Sequence, residues 1–265
     1  MKQYLLSLVL LGGLSTVALA QTPAKPAPTA VELESFFSRL SETNEGEGSI
    51  FDSVDIMSRR LVTYLKGRPA TTANLGVDLS AESADVAHLK VFTYSYPSGG
   101  TRGTVHRPVL QWQNAAGQQF AYALPEECEF TAIYKLASPG RTRYLLLGQE
   151  EGDTNTSISE ALVVELKGNY LLLDKEVFGK NSPLQLSNVE LSFDEPKQVL
   201  TIDLADHDAS AEDDKLLAQW GYHGKFPARP LTLFQRTYPP MAPHRKSATK
   251  TLRLKFSAGH FVKSS

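Results

Sequence analysis

The sequence predicts a mainly β protein, an antiparallel meander with two short helices at its N-terminal side, and three observations predict it. First, Glu129 to Gly179 reads as four consecutive strands. Phe130, Ala132, Tyr134 and Leu136 alternate with Glu129, Thr131 and Lys135, the period-2 signature of a strand buried on one face. Second, Tyr144–Leu147 and Ala161–Val164 are continuous apolar runs, which suit strands covered on both faces. Third, Gly168-Asn169 supplies the two-residue turn of a tight hairpin. The simplest closure is one meander curled as an open barrel or split into two packed sheets. Propeller-like four-stranded units are the alternative, since 75–125, 129–179 and 188–262 each hold about four strand candidates.

In chain order, residues 1–20 read as a secretory signal peptide: Lys2, an apolar core from Tyr4 to Leu14, and the small-residue cleavage signal Ala18-Leu19-Ala20. Gln21, not cysteine, follows the expected cut, so no lipid anchor is expected. The protein is therefore expected to be secreted or periplasmic. No later run is long and apolar enough to predict a membrane span. Residues 21–29 form a Pro/Ala linker. Residues 30–70 are helical: Thr29-Ala30-Val31-Glu32 has the form of a capping box, followed by Leu33, Phe36, Phe37 and Leu40 at helical spacing. A second helix runs from Ile50 to Lys66 and is stopped by Gly67 and Pro69.

Residues 71–265 form the β region. Leu89–Tyr96 is a strand, and Thr101–Gln113 with Gln118–Leu124 a hairpin whose Pro108 predicts an edge or a bulge. Beyond Gly179, Val189, Leu191 and Phe193 alternate outbound and Leu200, Ile202 and Leu204 inbound around a tip at Glu195-Pro196-Lys197. A helix ends at Gly221, and strands at Pro230–Tyr238 and Lys250–Phe256 close the chain.

Composition narrows the chemistry. The one cysteine, Cys128, permits no internal disulfide, so stability rests on core burial. Cys128 stands among Glu126, Glu127 and Glu129, which disfavour a thiolate. Asp214 is the last acidic residue. Ten basic residues follow it, whereas residues 21–214 carry 16 basic against 29 acidic. Either the two halves neutralise each other within one sheet, or the basic end meets an anionic surface polymer or protein. The residues for such contact are Arg229, Arg236, Arg245, Lys246, Lys250, Arg253 and Lys255. Nothing points to specific nucleic-acid recognition.

Catalytic fingerprints are sparse. No nucleophile elbow, zinc-protease helix, P-loop or dinucleotide fingerprint occurs. Ser247-Ala248-Thr249-Lys250 matches S-x-x-K without the partner motifs that give it meaning. No cofactor is expected, with one exception to weigh. Asp206, Asp208, Glu212 and Asp214 lie at alternate positions, as calcium ligands do, yet Ala211 and Leu217 replace the glycine and glutamate of a calcium loop. The competing account is a helix start with carboxylates at its positive end. Trp112, the Tyr94/Tyr96 pair and Trp220 with Tyr222 suit either core or a sugar-binding face.

The order of features resembles that of a loose group of uncharacterised exported bacterial proteins. The residues that carry it are Leu89-Lys90-Val91-Phe92-Thr93-Tyr94, Gly99-Gly100-Thr101, Gln111, Ile133-Tyr134-Lys135-Leu136 with Tyr144–Gly148, and Gly259-His260-Phe261-Val262. The resemblance implies export and a β fold after two helices, and carries no activity. The expectation is an exported, non-catalytic binding or envelope-associated module with a basic C-terminal region. The alternative is a hydrolase of envelope or extracellular polymers, with acids from Glu126–Glu129 or Asp203–Asp208.

Overall fold

The N-terminal helices form where capping chemistry and apolar spacing require them. The computed structural model describes residues 27–43, 50–70, 75–98, 103–152, 156–179, 182–204, 211–222 and 251–264. The expected signal peptide, most of the linker and the expected strand at Pro230–Tyr238 lie outside them. Helix α1 (Ala30–Glu42) starts where the Thr29 hydroxyl accepts from the Glu32 N–H at 3.2 Å. That satisfies one of the amide donors a helix start leaves unpaired. The Glu32 carboxylate pairs with Arg60 at 2.6 Å. A 3-10 turn (Phe51–Ser53) leads into α2 (Val54–Gly67), which buries Val54, Met57, Leu61 and Leu65.

Three antiparallel sheets follow, none of them closed. The first is β1 (Asp78–Glu82), β2 (Lys90–Pro97), β3 (Thr104–Gln113) and β4 (Gln119–Ala123). The second is β5 (Glu129–Leu136), β6 (Thr142–Glu151), β7 (Ser157–Lys167) and β8 (Tyr170–Leu173), with β9 (Leu184–Ser187) also paired to β7. The third is β10 (Glu190–Asp194), β11 (Val199–Asp203), β12 (Thr251–Ser257) and β13 (His260–Lys263), with α3 (Ala211–Ala218) intervening between β11 and β12. Within each sheet the four strands of the meander lie in sequence order.

Side-chain alternation turns these sheets into layers. Phe92, Tyr94 and Val109 pack under α1 and α2. Their neighbours Val91, Leu110 and Trp112 pack on Tyr144, Leu146, Leu162 and Val164 of the middle sheet. From the middle sheet's other face, Leu145, Leu147, Ala161 and Val163 meet Leu200, Ile202, Leu252 and Leu254 of the last. The order is helices, first sheet, middle sheet, last sheet. The middle sheet is apolar on both faces because both are covered, as its continuous apolar runs predict.

Several expectations change. In place of one curled meander or two packed sheets there are three sheets, falling on the three stretches that hold four strand candidates each. The alternation read along β5 breaks at a bulge: Phe130 pairs with Gly148 but Ala132 with Leu147. The extra residue, Thr131, flips the phase. Phe130 therefore faces the first sheet, while Ala132, Tyr134 and Leu136 face the last. Pro108 lies in a central strand, β3, opposite Thr93 of β2. Its carbonyl accepts from Leu124 N, just past the end of β4, so its missing N–H points where that ladder has run out. The C-terminal turn at Ser257–His260 is followed by a further strand, β13.

Candidate functional site

The predicted basic contact residues divide sharply. Arg229, Arg236, Arg245, Lys246 and Lys250 lie outside the described residues. Arg253 and Lys255 are on β12, which alternates strictly between exposed and buried. Leu252, Leu254 and Phe256 enter the core, so Thr251, Arg253, Lys255 and Ser257 point away from it. Two residues apart on one strand, the two cations stand about 7 Å from each other. Arg253 is opposite Thr201, and Lys255 opposite Val199 and Val262. This outer face is mixed in sign. Glu190 pairs with Asp203, and Asp194 with Val199, in the same outward phase. Carboxylates thus occupy its β10–β11 half and cations its β12 half. The C-terminal basic strand shares a sheet with strands of the acidic region, as the neutralisation alternative anticipates.

The calcium candidates fall on residues whose side chains are not described. Asp206 and Asp208 lie outside the described residues, and so do the side chains of Glu212 and Asp214. Among the described residues no group of three or more metal-ligating side chains is arranged to hold an ion. Asp213, between two of the candidates, is buried, and its carboxylate accepts from Ser187 N at 3.3 Å, which ties α3 to β9.

The aromatic candidates are core. Tyr94 lies 4.7 Å from the Phe37 ring and stacks on Tyr96, Trp112 stacks on Phe120 at 5.7 Å, and Trp220 and Tyr222 belong to the core beside the last sheet. Between α1 and the start of α2 is a concavity of about 570 Å³, with Phe36, Ile50 and Met57 as its apolar lining and Arg39 and Glu42 as its charged lining. The S-x-x-K serine and lysine lie outside the described residues.

The most unusual electrostatics lie in the middle sheet, in residues that belong to none of the sequence motifs. Glu160 of β7 faces the first sheet and is 0% exposed. Across the strands it stands between Gly148 of β6 and Gln185 of β9. Gln185 donates its amide to Glu160 Oε2 at 2.8 Å. Glu160 Oε1 has no hydrogen-bond partner among the described residues, and neither does the buried Glu126 Oε2. Burial pushes the Glu160 carboxyl up, the Gln185 amide offsets part of this, and the charges of Glu126 and Glu150 add to it, leaving it at about 7. Burial also raises Glu126.

Cys128 packs over Gly148, where an added Cβ would stand 2.4 Å from the Glu129 carbonyl oxygen and 2.7 Å from Cys128 Sγ. Burial, then the charges of Glu160, Glu150, Glu126 and Glu129, push the thiol far above its ordinary range. It is an inert core thiol, as its acidic neighbours predict.

At the opposite end of the same strands lies a second charged group. Arg143, its side chain 5% exposed, is 3.4 Å from Glu165 and 3.0 Å from Asp174, and donates to the Gly259 carbonyl at 3.1 Å. Arg141 also pairs with Glu165. Gly259 has φ +89°, and a Cβ there would stand 3.1 Å from Arg143 Nη1, so glycine suits both backbone and guanidinium. Nearby, Tyr144 donates its hydroxyl to Asp85 at 2.5 Å, and Lys135 donates at 2.8 Å. Burial raises the Asp85 carboxyl, but the bonds from Lys135, Tyr144 and Ser83 outweigh it and hold it below its ordinary value. These groups pin the β1–β2 loop and the β12–β13 turn to the middle sheet.

The signal for Glu160 and Glu165 is present in the sequence: both flank the run ALVV, which predicts a strand covered on both faces. A charge abutting such a run has to be partnered or neutral. No known protein family matches the chain, and neither characterised proteins nor solved structures show detectable similarity to it.

Proposed function

We propose that this is an exported, non-catalytic binding module whose last sheet meets an anionic surface polymer or protein through its outer face. The observation that carries this is the pair Arg253 and Lys255, exposed side by side on a sheet face that no described layer covers. The other sheets are covered on both sides, the first by helices and middle sheet, the middle by its two neighbours. Export is supported by the signal-peptide pattern of residues 1–20 and by the resemblance to exported proteins. The face-to-face order of three four-stranded meanders, with β1 packed along β5, also supports reading them as propeller-like units of an unclosed array.

Of the acids named for hydrolysis, Glu127 pairs with Arg107 at 2.7 Å.

Immobilised dextran sulfate provides the test. Retention of the protein should fall steeply between 0.05 and about 0.3 M salt, because exposed charge pairs are screened over a Debye length. The R253A/K255A double variant should elute several-fold earlier in the gradient, with an unchanged unfolding midpoint. Retention insensitive to salt, or equal in the double variant, overturns the proposal.

A further inference from the structure

The joint between the middle and last sheets is short. After β8 the chain returns to β7 as β9, four residues long, and from there passes into β10. Leu184 and Leu186 of β9 are fully buried, while Gln185 is exposed and lies directly across from Glu160. On its other sides Glu160 meets core: Gly148 with Cys128 above it, and Leu162 two residues along the same face. The Gln185 side chain is therefore the thinnest cover over the carboxyl.

We propose that Glu160 is a proton-controlled latch for β9: its neutral carboxyl keeps the joint closed, and loss of the proton loosens β9 from β7.

The groups facing Glu160 are Glu126 and Cys128 from the segment that enters β5, Glu150 from β6 and Gln185 from β9. None of them is a cation. A carboxylate formed in place meets one amide dipole and the like charges of Glu126 and Glu150. It gains hydration only if a wall moves, and Gln185 is the wall with least core behind it. The step is a plain dissociation: the Glu160 O–H bond breaks, the proton goes to solvent, and the electron pair stays on the carboxylate. Leu184 and Leu186 keep the loosened state a minor one, so the proton changes how often β9 opens rather than which state dominates. With the closed carboxyl at about 7 and the open one near its ordinary value of about 4.3, opening becomes more frequent as pH rises between those values. It levels off above the higher one, because both states are then ionised.

Hydrogen exchange on the intact protein from pH 4.5 to 8.5, corrected for intrinsic exchange rates, tests this. The Leu186 amide, which faces β7, should open up to about tenfold more often per pH unit and then level off near neutrality. Amides at the centre of β6, which exchange through global unfolding, should follow the same pH slope but open far less often at every pH. In E160Q, β9 opening should be flat with pH. Opening of β9 that is pH-independent in the wild type, or that is as rare as that of β6 at every pH, overturns the latch. Should E160Q fail to fold, carbon NMR of the wild-type Glu160 carboxyl decides. A midpoint near neutrality supports the latch, and one at the ordinary glutamate value of about 4.3 removes it.

Discussion

Strand β7 carries two buried glutamates five positions apart, on opposite faces of one sheet, and the molecule treats them in opposite ways. Glu165 faces the last sheet, where it pairs with Arg143 and Arg141. Glu160 faces the first sheet, where a neutral amide and two more glutamates, Glu126 and Glu150, act on it. The same residue type in the same strand is thus salt-bridged in one place and an acid with an elevated pKa in the other. Burial is common to both; the difference lies in the partner. Asp85 shows a third arrangement, an ionised carboxylate held by a tyrosine, a serine and one half-exposed lysine.

The largest expected effect breaks the ionic member of the comparison. R143A leaves Glu165 and Asp174 without their buried cation, and denaturant unfolding at pH 7 should show a loss of about 3–5 kcal/mol. Next comes the sign reversal. E160Q removes a charge that burial disfavours, so at pH 8 it should stabilise by up to about 3 kcal/mol, the ceiling set by the pKa displacement. Linkage fixes the window. The wild type should lose stability as pH rises from about 4.3 to about 7, while E160Q should not. Stabilisation absent at pH 8 would undo the contrast.

The identical substitution at the neighbouring glutamate should run the other way. E165Q surrenders its charge to two arginines and should cost about 2 kcal/mol in the same unfolding assay. Opposite signs for E160Q and E165Q are the sharpest form of the comparison; equal signs would show that burial alone governs both. The smallest effect is at Asp85. Y144F removes one charge-accepting hydrogen bond while Lys135 and Ser83 remain, and thermal unfolding should register about 1 kcal/mol.

Much of the architecture was legible where local chemistry decides it. The Thr29 cap, the apolar spacing of α1 and α2 and the Gly168-Asn169 turn act over a few residues, and each is found in place. The doubly covered middle sheet was legible in its apolar runs. Short strands were harder: β1 buries one residue firmly and β13 likewise, too little alternation to read. The bulge after Phe130 was hidden because alternation in the sequence continues through it. For the candidate site, the position of Glu160 beside an apolar run was a visible warning. Its surroundings were not visible, since Gln185, Glu150 and Glu126 arrive from separate segments. Arg253 and Lys255 were read from charge alone, and only strand phase shows that they point outward.

The pairing of Asp203 with Thr251 has a consequence for the order of assembly. The first two sheets are built from neighbours in sequence and can zip as successive hairpins. The last one waits: Leu200 and Ile202 lack their lateral neighbours Leu254 and Leu252 until the chain has made a long excursion and come back. Closing that excursion adds little to the equilibrium cost, which grows only with the logarithm of its length. It delays the event itself, because distant contacts are found more slowly than local ones. A refolding chain therefore has a natural sequence of events, with the helix-capped end finished early and the uncovered face completed last. Until that moment β11 remains an unprotected edge, the surface at which intermolecular pairing competes with folding.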